Sequence, residues 1–74
     1  MKYKLITVDG KITYRQRMSL KQMQKFVGGY IEFIKFSMTA NSFYVNEKGL
    51  SLRLPKNKKY SMFVGNIIML KEEK

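Results

Sequence analysis

The side chains able to carry out chemistry are few in this 74-residue chain, and none of them belongs to a histidine or a cysteine. Zinc sites built on those ligands, Ser-His-Asp triads and thiol nucleophiles are therefore excluded. The acidic groups are five carboxylates: Asp9, Glu32, Glu47, Glu72 and Glu73. Asp9 and Glu47 stand in predicted turns and the last two in a predicted tail, so the sequence gives no sign of a converging pair for hydrolysis. We therefore predict a protein that is not an enzyme, without catalytic residues, metal site or cofactor.

Lysine and arginine dominate the charged composition. Fifteen of them stand against five acidic residues, which gives a formal net charge of +10. An excess this large favours an anionic macromolecule as partner, either nucleic acid or an acidic protein surface, and the alternative is that the cations only keep a small protein soluble. No apolar run approaches the roughly 20 residues that cross a bilayer, and no secretory signal is visible. We expect a cytoplasmic protein that does not act in a membrane.

Two basic segments supply the candidate contact residues. The first lies on one face of a predicted β-hairpin: Lys2, Lys4, Lys11, Arg15 and Arg17. The second is a loop ahead of the last predicted strand: Lys56, Lys58 and Lys59, with Arg53 nearby. Several cations within reach of one polyanion are what phosphate binding requires. Tyr44 and Tyr60 are the candidate stacking aromatics, because Tyr44 alternates away from the apolar side chains beside it and Tyr60 follows the lysine loop.

Residues 2–18 are typical of a hairpin centred on Asp9-Gly10, a dipeptide that suits a two-residue type I′ turn. This turn predicts that Val8 lies opposite Lys11. One face then holds an expected core set: Tyr3, Leu5, Thr7, Ile12, Tyr14 and Met18. The other face holds the five cations with three further residues: Lys2, Lys4, Ile6, Val8, Lys11, Thr13, Arg15 and Arg17. Like charges directly opposite each other destabilise a sheet, so the pairs Lys4–Arg15 and Lys2–Arg17 predict a face that an anion stabilises. The alternative is a solvated face whose lysines prevent edge-to-edge pairing.

One helix is predicted after the hairpin. Ser19 and Gln22 have the spacing of a capping box at its start, and Gly28-Gly29 is expected to end it. Its apolar stripe, expected to pack on the sheet, is Leu20, Met23, Phe26 and Val27. A helix of about ten residues is unstable alone, so packing on a sheet is required.

The rest of the chain predicts strands. Residues 30–38 are apolar on both faces and predict a central strand, with residues 42–46 as its partner. Residues 50–54 alternate leucine with polar residues, as in a short strand or extended segment, and residues 62–70 predict the last strand. We expect one α+β domain over residues 1–74 in the order β-β-α-β-β-β, with a small, mostly antiparallel sheet, the helix on one face and a frayed tail at 71–74. A homo-oligomer through a strand edge stays open.

Residues 26–32 (Phe-Val-Gly-Gly-Tyr-Ile-Glu) resemble a pattern of the family known as domain of unknown function 3846 (DUF3846). Its further motifs follow in order as residues 45–49 (Val-Asn-Glu-Lys-Gly), 54–57 (Leu-Pro-Lys-Asn) and 64–66 (Val-Gly-Asn). The resemblance runs from about residue 20 to residue 70. It implies the fold and an origin in a bacteriophage or another mobile element, where such proteins largely occur. It implies no activity and identifies no catalytic residue.

Three hypotheses for function remain. The charge favours a small, non-enzymatic protein that binds nucleic acid through the hairpin face. Origin and size favour the alternative, a phage-encoded inhibitor of a host defence or regulatory protein that acts by protein–protein binding or by capturing an anionic signalling molecule. The third is a structural role in which an exposed strand edge pairs with a partner.

Overall fold

The computed structural model describes residues 2–35 and 41–71 of the chain. Its elements, in chain order, are β1 (Lys2–Ile6), β2 (Ile12–Arg15), α1 (Leu20–Val27), β3 (Ile31–Lys35), β4 (Asn41–Asn46) and β5 (Ile67–Lys71). The five strands form one antiparallel sheet in the order β2-β1-β5-β4-β3. The predicted α+β class and the predicted order of elements are therefore confirmed. Within these residues, no helix has both the length and the apolar character needed to cross a bilayer.

β5 occupies the centre of the sheet, between β1 and β4, although it is the last strand in the chain. Its apolar run suits this position because both faces of a central strand are covered, and Ile67 and Ile68 are fully buried on opposite faces. The segment predicted to be central instead forms β3, an edge strand. Its charged residues, Glu32 and Lys35, suit an edge and make it a poorer central strand than β5. Residues 36–38, which were predicted to continue it, lie outside the described residues.

The connection from β4 to β5 begins with turns rather than with the predicted extended segment. The Leu52 N–H donates to the Lys48 carbonyl at 2.8 Å, and the Arg53 N–H donates to the Leu50 carbonyl at 3.1 Å. Leu50 and Leu52 are 82% and 57% exposed. The leucine alternation therefore does not reflect a half-buried strand, because consecutive turns direct these side chains to the surface.

α1 begins and ends where the sequence predicts. The Ser19 hydroxyl accepts from the Gln22 N–H at 3.2 Å, and the Gln22 side chain accepts from the Ser19 N–H at 2.9 Å. Gly28 has a left-handed φ of 85°, and its N–H donates to the Gln24 carbonyl at 2.9 Å. The capping box and the glycine at the helix end are both confirmed.

The helix buries only part of its apolar stripe. Met23 and Val27 lie one turn apart and are buried in one hydrophobic cluster with Leu5 of β1 and Ile68 of β5. Phe26 is half-buried, and Leu20 is 56% exposed. Leu20 is the first residue of a helix of eight, so it stands at the end of the element rather than over the sheet. The prediction that all four stripe residues pack on the sheet is therefore wrong for Leu20.

A second layer, without regular secondary structure, covers the opposite face of the sheet. It is formed by residues 54–66, from which Phe63 is buried and Tyr60 is half-buried. Their ring centroids lie 4.9 Å and 5.5 Å from that of Phe43 in β4. The buried residues of this face are Ile6, Phe43, Val45, Phe63, Ile67 and Met69. The sheet therefore has a helix-covered face under α1 and a loop-covered face under residues 54–66.

The register of the β1–β2 hairpin differs by one residue from the predicted one. Lys4 lies opposite Tyr14, so the predicted pairing of Lys4 with Arg15 is wrong. The loop contains three residues, 8–10, instead of two, because the Thr7 N–H donates to the Lys11 carbonyl at 2.9 Å. The turn inside this loop ends at Gly10, whose left-handed φ is 90°.

Two hydrogen bonds from the β4–β5 connection stabilise this longer loop. The Val8 N–H donates to Asn66 Oδ1 at 2.9 Å, and the Val8 carbonyl accepts from the Lys58 N–H at 3.0 Å. A type I′ turn would have paired Val8 with Lys11 across the hairpin. Because the N–H and the carbonyl of Val8 bond to Asn66 and Lys58, Val8 does not pair with Lys11. Asn66 and Lys58 are distant in sequence, so the Asp9-Gly10 dipeptide does not predict the three-residue loop.

Candidate nucleic-acid interface

The register divides the predicted cationic face of the hairpin between the two sides of the sheet. Directly paired residues in an antiparallel sheet share a face. Lys2 and Lys4 therefore lie with Tyr14 on the loop-covered face, whereas Arg15 lies on the helix-covered face. The expected like-charge pairs, Lys4–Arg15 and Lys2–Arg17, are incompatible with this register. The hairpin thus does not need an anion to relieve repulsion between directly opposed cations.

The structure brings the two predicted basic segments together at the tip of the hairpin. The Lys58 N–H donates to the Val8 carbonyl, as described above, and the Lys58 Cβ lies 3.7 Å from the position that a Cβ on Gly10 would take. Lys11, Lys58 and Lys59 are all exposed. We call the cations of the hairpin and of this loop the basic end: Lys2, Lys4, Lys11, Arg15, Arg17, Lys58 and Lys59.

Arg53 and Lys56 belong to other parts of the β4–β5 connection. Arg53 has a left-handed φ of 54° and lies in the same turn as Leu50 and Ser51, which line a groove beside β3 and β4. Lys56 is exposed and forms an isolated antiparallel bridge with Val64. The contacts that bring Lys58 to the hairpin tip therefore include neither Arg53 nor Lys56.

Tyr44 and Tyr60, the predicted stacking aromatics, are packed in the two cores. The Tyr60 hydroxyl donates to Met69 Sδ at 3.6 Å, and its ring packs in the loop-covered core. Tyr44 packs in the helix-covered core, with its ring centroid 5.1 Å from that of Phe33. Burial raises the pKa of the Tyr44 hydroxyl, and the neighbouring Tyr3 adds to this rise. Their packing argues against a stacking role for either ring.

Tyr14 is an exposed aromatic ring of the hairpin, with 58% of its surface accessible. The Lys2 Nζ lies 5.5 Å from its ring centroid, and Lys4 lies directly across the strand pair. Sequence reasoning missed this ring because a two-residue turn assigns it to the core face. Gly10 is the signal that could have found it, since a left-handed glycine also serves a three-residue loop.

Two grooves lie at opposite ends of the sheet. One, of about 640 Å³, lies between β2 and α1 and is lined by Arg15 and Lys25. Lys25 was not among the predicted contact residues, because nothing in the helix pattern distinguishes it from an ordinary solvated lysine. The other groove, of about 400 Å³, lies beside β3 and β4 and is lined by Glu32 and Glu47 with apolar neighbours such as Leu50. The hairpin end of the sheet therefore carries cations, and the other end carries carboxylates beside apolar surface.

Asn57, from the Leu-Pro-Lys-Asn motif, is fully buried and connects the irregular layer to the hairpin. Its side-chain nitrogen donates to three carbonyls at 3.3, 3.1 and 3.0 Å, those of Ile6, Thr7 and Gly65. Its oxygen accepts from two backbone N–H groups at 2.9 and 3.1 Å, those of Lys59 and Tyr60. One buried amide therefore satisfies the backbone of three separate segments.

Asparagines from the other two motifs fasten the end of α1. Asn46 donates to the Val27 carbonyl at 3.0 Å, and Asn66 donates to the Phe26 carbonyl at 3.0 Å. Asn46 Oδ1 accepts from the Lys48 N–H, two residues further on, at 2.8 Å, and Asn66 Oδ1 accepts from the Val8 N–H in the hairpin loop at 2.9 Å. A Cβ on Gly29 would lie 3.1 Å from Asn46 Nδ2, which explains why glycine follows the helix here. The motif asparagines thus stabilise the fold by joining distant backbone segments.

The described residues contain no group of three or more carboxylates close enough to hold a metal ion. No curated protein and no solved structure matches the chain. The family described as domain of unknown function (DUF3846) matches residues 1–74, the whole chain, and the protein belongs to this family.

Proposed function

We propose that this protein is a small, non-enzymatic module that binds nucleic acid through phosphate contacts at its basic end. The observation that carries the proposal is the contact between the hairpin loop and the lysine loop, through the Lys58 N–H and the Val8 carbonyl. This contact gathers cations from two segments at one end of the molecule. The net charge of +10 attracts a polyanion to the protein in general. Cations that lie close together favour its binding at the basic end.

The distribution of acidic residues also favours the basic end as the binding surface. Glu32 and Glu47 line the groove beside β3 and β4. The remaining acidic residue in 2–35 and 41–70 is Asp9, which lies in the hairpin loop near the basic end. The resulting field attracts a polyanion toward the hairpin and away from β3.

The lysine loop is expected to contribute as much as the hairpin. A flexible loop loses conformational entropy on binding, which would rank its lysines below those on a strand. Here the Asn57 side chain and the Lys58 N–H bond the loop to Thr7 and Val8 of the hairpin. The backbone that carries the exposed Lys58 and Lys59 is thus held against the hairpin before any partner arrives.

We further propose, from the family resemblance, that the protein comes from a bacteriophage or another mobile element and acts in the cytoplasm of a bacterial host. A phage-encoded inhibitor that binds a host defence or regulatory protein is the alternative function, and the experiment below distinguishes the two.

Fluorescence anisotropy with a labelled oligonucleotide of about 12 nucleotides, measured from about 50 to 200 mM salt, tests the proposal. We expect binding that weakens steeply as salt rises. The double variant Lys4→Gln, Lys58→Gln should bind more weakly, and its salt dependence should flatten by about 0.7 per lost phosphate contact on a single strand.

The matched control removes the same charge from the turns after β4, with Lys48→Gln and Arg53→Gln. It should bind nearly as well as the unmodified protein. Equal losses in the two double variants would show that net charge alone acts, and the basic end would not be a site. No binding at the lowest salt would overturn the proposal and favour the protein-binding alternative or capture of a small anion.

A further inference from the structure

We propose that the basic end recognises single-stranded nucleic acid, with an unpaired base stacked on Tyr14, and this rests on the function proposed above. Tyr14 lies on β2, an edge strand that no further strand of the described residues covers. Its ring is 58% exposed, whereas Phe43 and Phe63 are buried. An aromatic ring that packs so little in its own fold leaves its face for a ligand.

The cations beside Tyr14 distinguish it from an ordinary exposed tyrosine. Lys4 is its direct cross-strand neighbour, and the Lys2 Nζ lies 5.5 Å from its ring centroid. Directly paired side chains of an antiparallel sheet have Cβ atoms about 5 Å apart. The distance between the ring and the lysine therefore suits a nucleotide whose base stacks on Tyr14 while a neighbouring phosphate contacts the lysine.

The contact between Lys2 and the ring is easily exchanged for a base. A distance of 5.5 Å is near the outer limit of about 6 Å for a cation–π contact, and such contacts are weak at exposed sites. Stacking of a base on an aromatic ring is the stronger interaction. A displaced Lys2 ammonium then becomes available for a phosphate, so its displacement adds a contact.

A duplex cannot use this ring in the same way. Its bases are already stacked on each other, and extruding one costs a few kcal/mol. The lysines alone would contact its phosphates. The arrangement therefore predicts a preference for single strands that resides in Tyr14 and is lost with it.

The test compares a labelled single strand of about 12 nucleotides with its duplex, against the unmodified protein, Tyr14→Ala and Tyr14→Phe. We expect Tyr14→Ala to weaken single-strand binding by about 10-fold and to leave duplex binding within about 2-fold. Tyr14→Phe keeps the ring and should bind like the unmodified protein. Tyr30→Ala is the matched control, because Tyr30 is 70% exposed but lies outside the basic end.

A second measurement detects the stacking directly. The chain has no tryptophan, so Tyr14→Trp introduces a single indole whose fluorescence should be quenched by the single strand. Tyr30→Trp should not be quenched. This variant also keeps an aromatic ring, so the test does not depend on whether Tyr14→Ala remains folded.

The outcomes separate this inference from the proposed function. Equal affinity for single strand and duplex, with no quenching of Tyr14→Trp, would overturn the stacking proposal and leave phosphate binding intact. Absence of binding to both nucleic acids at low salt would overturn the proposed function itself.

Discussion

The two faces of the sheet are covered by different means. α1 covers one face with a regular element that satisfies most of its own backbone hydrogen bonds and buries Met23 and Val27. Residues 54–66 cover the other face without regular structure, and they bury Phe63 against β4. The irregular cover depends on Asn57, whose five hydrogen bonds replace the bonds that a helix makes within itself.

The irregular cover gives this chain of 74 residues a second layer that contains no helix. A buried segment without regular structure leaves backbone groups that must find partners. A single amide in the middle of the segment meets that requirement when it can reach several carbonyls and N–H groups at once. The result is a cover whose stability is concentrated in a few residues, whereas the helical cover distributes its stability along the element.

The largest expected effect comes from Asn57→Ala. Each buried polar group left without a partner costs about 1–3 kcal/mol, and several groups lose theirs here. We expect a loss of about 4 kcal/mol in the free energy of unfolding, close to the whole stability of a small domain. Urea unfolding followed by circular dichroism measures it.

Asn66→Ala is the control for Asn57→Ala, because the Asn66 side chain makes hydrogen bonds to Val8 and Phe26 and is only half-buried. It should lose about 1–2 kcal/mol. Equal losses for the two variants would mean that the irregular cover does not depend on Asn57 in particular.

The next effect compares one phenylalanine from each cover. Phe63→Ala should cost about 3–4 kcal/mol, since the ring is 9% exposed and its removal leaves a cavity beside Phe43. Phe26→Ala on α1 should cost about 1–2 kcal/mol, because that ring is only half-buried. Thermal melts of the two variants rank them. A larger loss for Phe26→Ala would show that the helix, rather than the loop, supplies the greater packing energy.

A smaller effect is expected from Ser19→Ala at the start of α1. The substitution removes the hydroxyl that accepts from the Gln22 N–H, which should cost about 1 kcal/mol. Ser19→Asp keeps an acceptor and should restore most of the loss. Hydrogen exchange should show faster exchange in α1 and unchanged protection in β5. A global loss of protection would contradict the local character of the helical cover.

The smallest effect is the pH dependence contributed by Tyr44 under α1. Its pKa is raised above the ordinary value of 10.0, first by burial and then by Tyr3. The folded state therefore holds the proton more tightly than the unfolded state, so this contribution is present below pH 10 and is lost as the pH rises above it. Tyr44→Phe should flatten the alkaline fall in stability, and Tyr30→Phe, at an exposed ring, should not. An unchanged alkaline fall in Tyr44→Phe would show that other groups cause it.

The features that depend on neighbouring residues could be predicted from the sequence. Ser19 and Gln22 cap the helix, and Gly28 ends it, because each acts within one turn of the chain. The number, type and order of the elements follow from such signals and from local alternation. The excess of cations and the absence of histidine and cysteine were also plain, since composition does not depend on the fold.

The rest of the fold depends on contacts between segments that are distant in sequence. Val8 bonds to Asn66 and Lys58 rather than across the hairpin, which shifts the register by one residue. β5 rather than β3 occupies the centre of the sheet, and hydrogen bonds of Asn57 hold residues 54–66 against the sheet as a second layer. Each of these arrangements is stabilised by hydrogen bonds and packing between distant segments. A local sequence pattern therefore cannot predict it.

The same division applies to the candidate site. Lys2, Lys4 and Lys11 were predicted as contact residues from the sequence, because charge and alternation are enough to suggest a basic face, and they stay a prediction. Tyr14 was assigned to the core but is exposed, and Tyr44 was assigned to stacking on a partner but is half-buried against the helix-covered core. A one-residue shift moves every side chain of β2 to the other face of the sheet. The meeting of Lys58 with the hairpin tip likewise follows from a hydrogen bond between segments that only folding brings together.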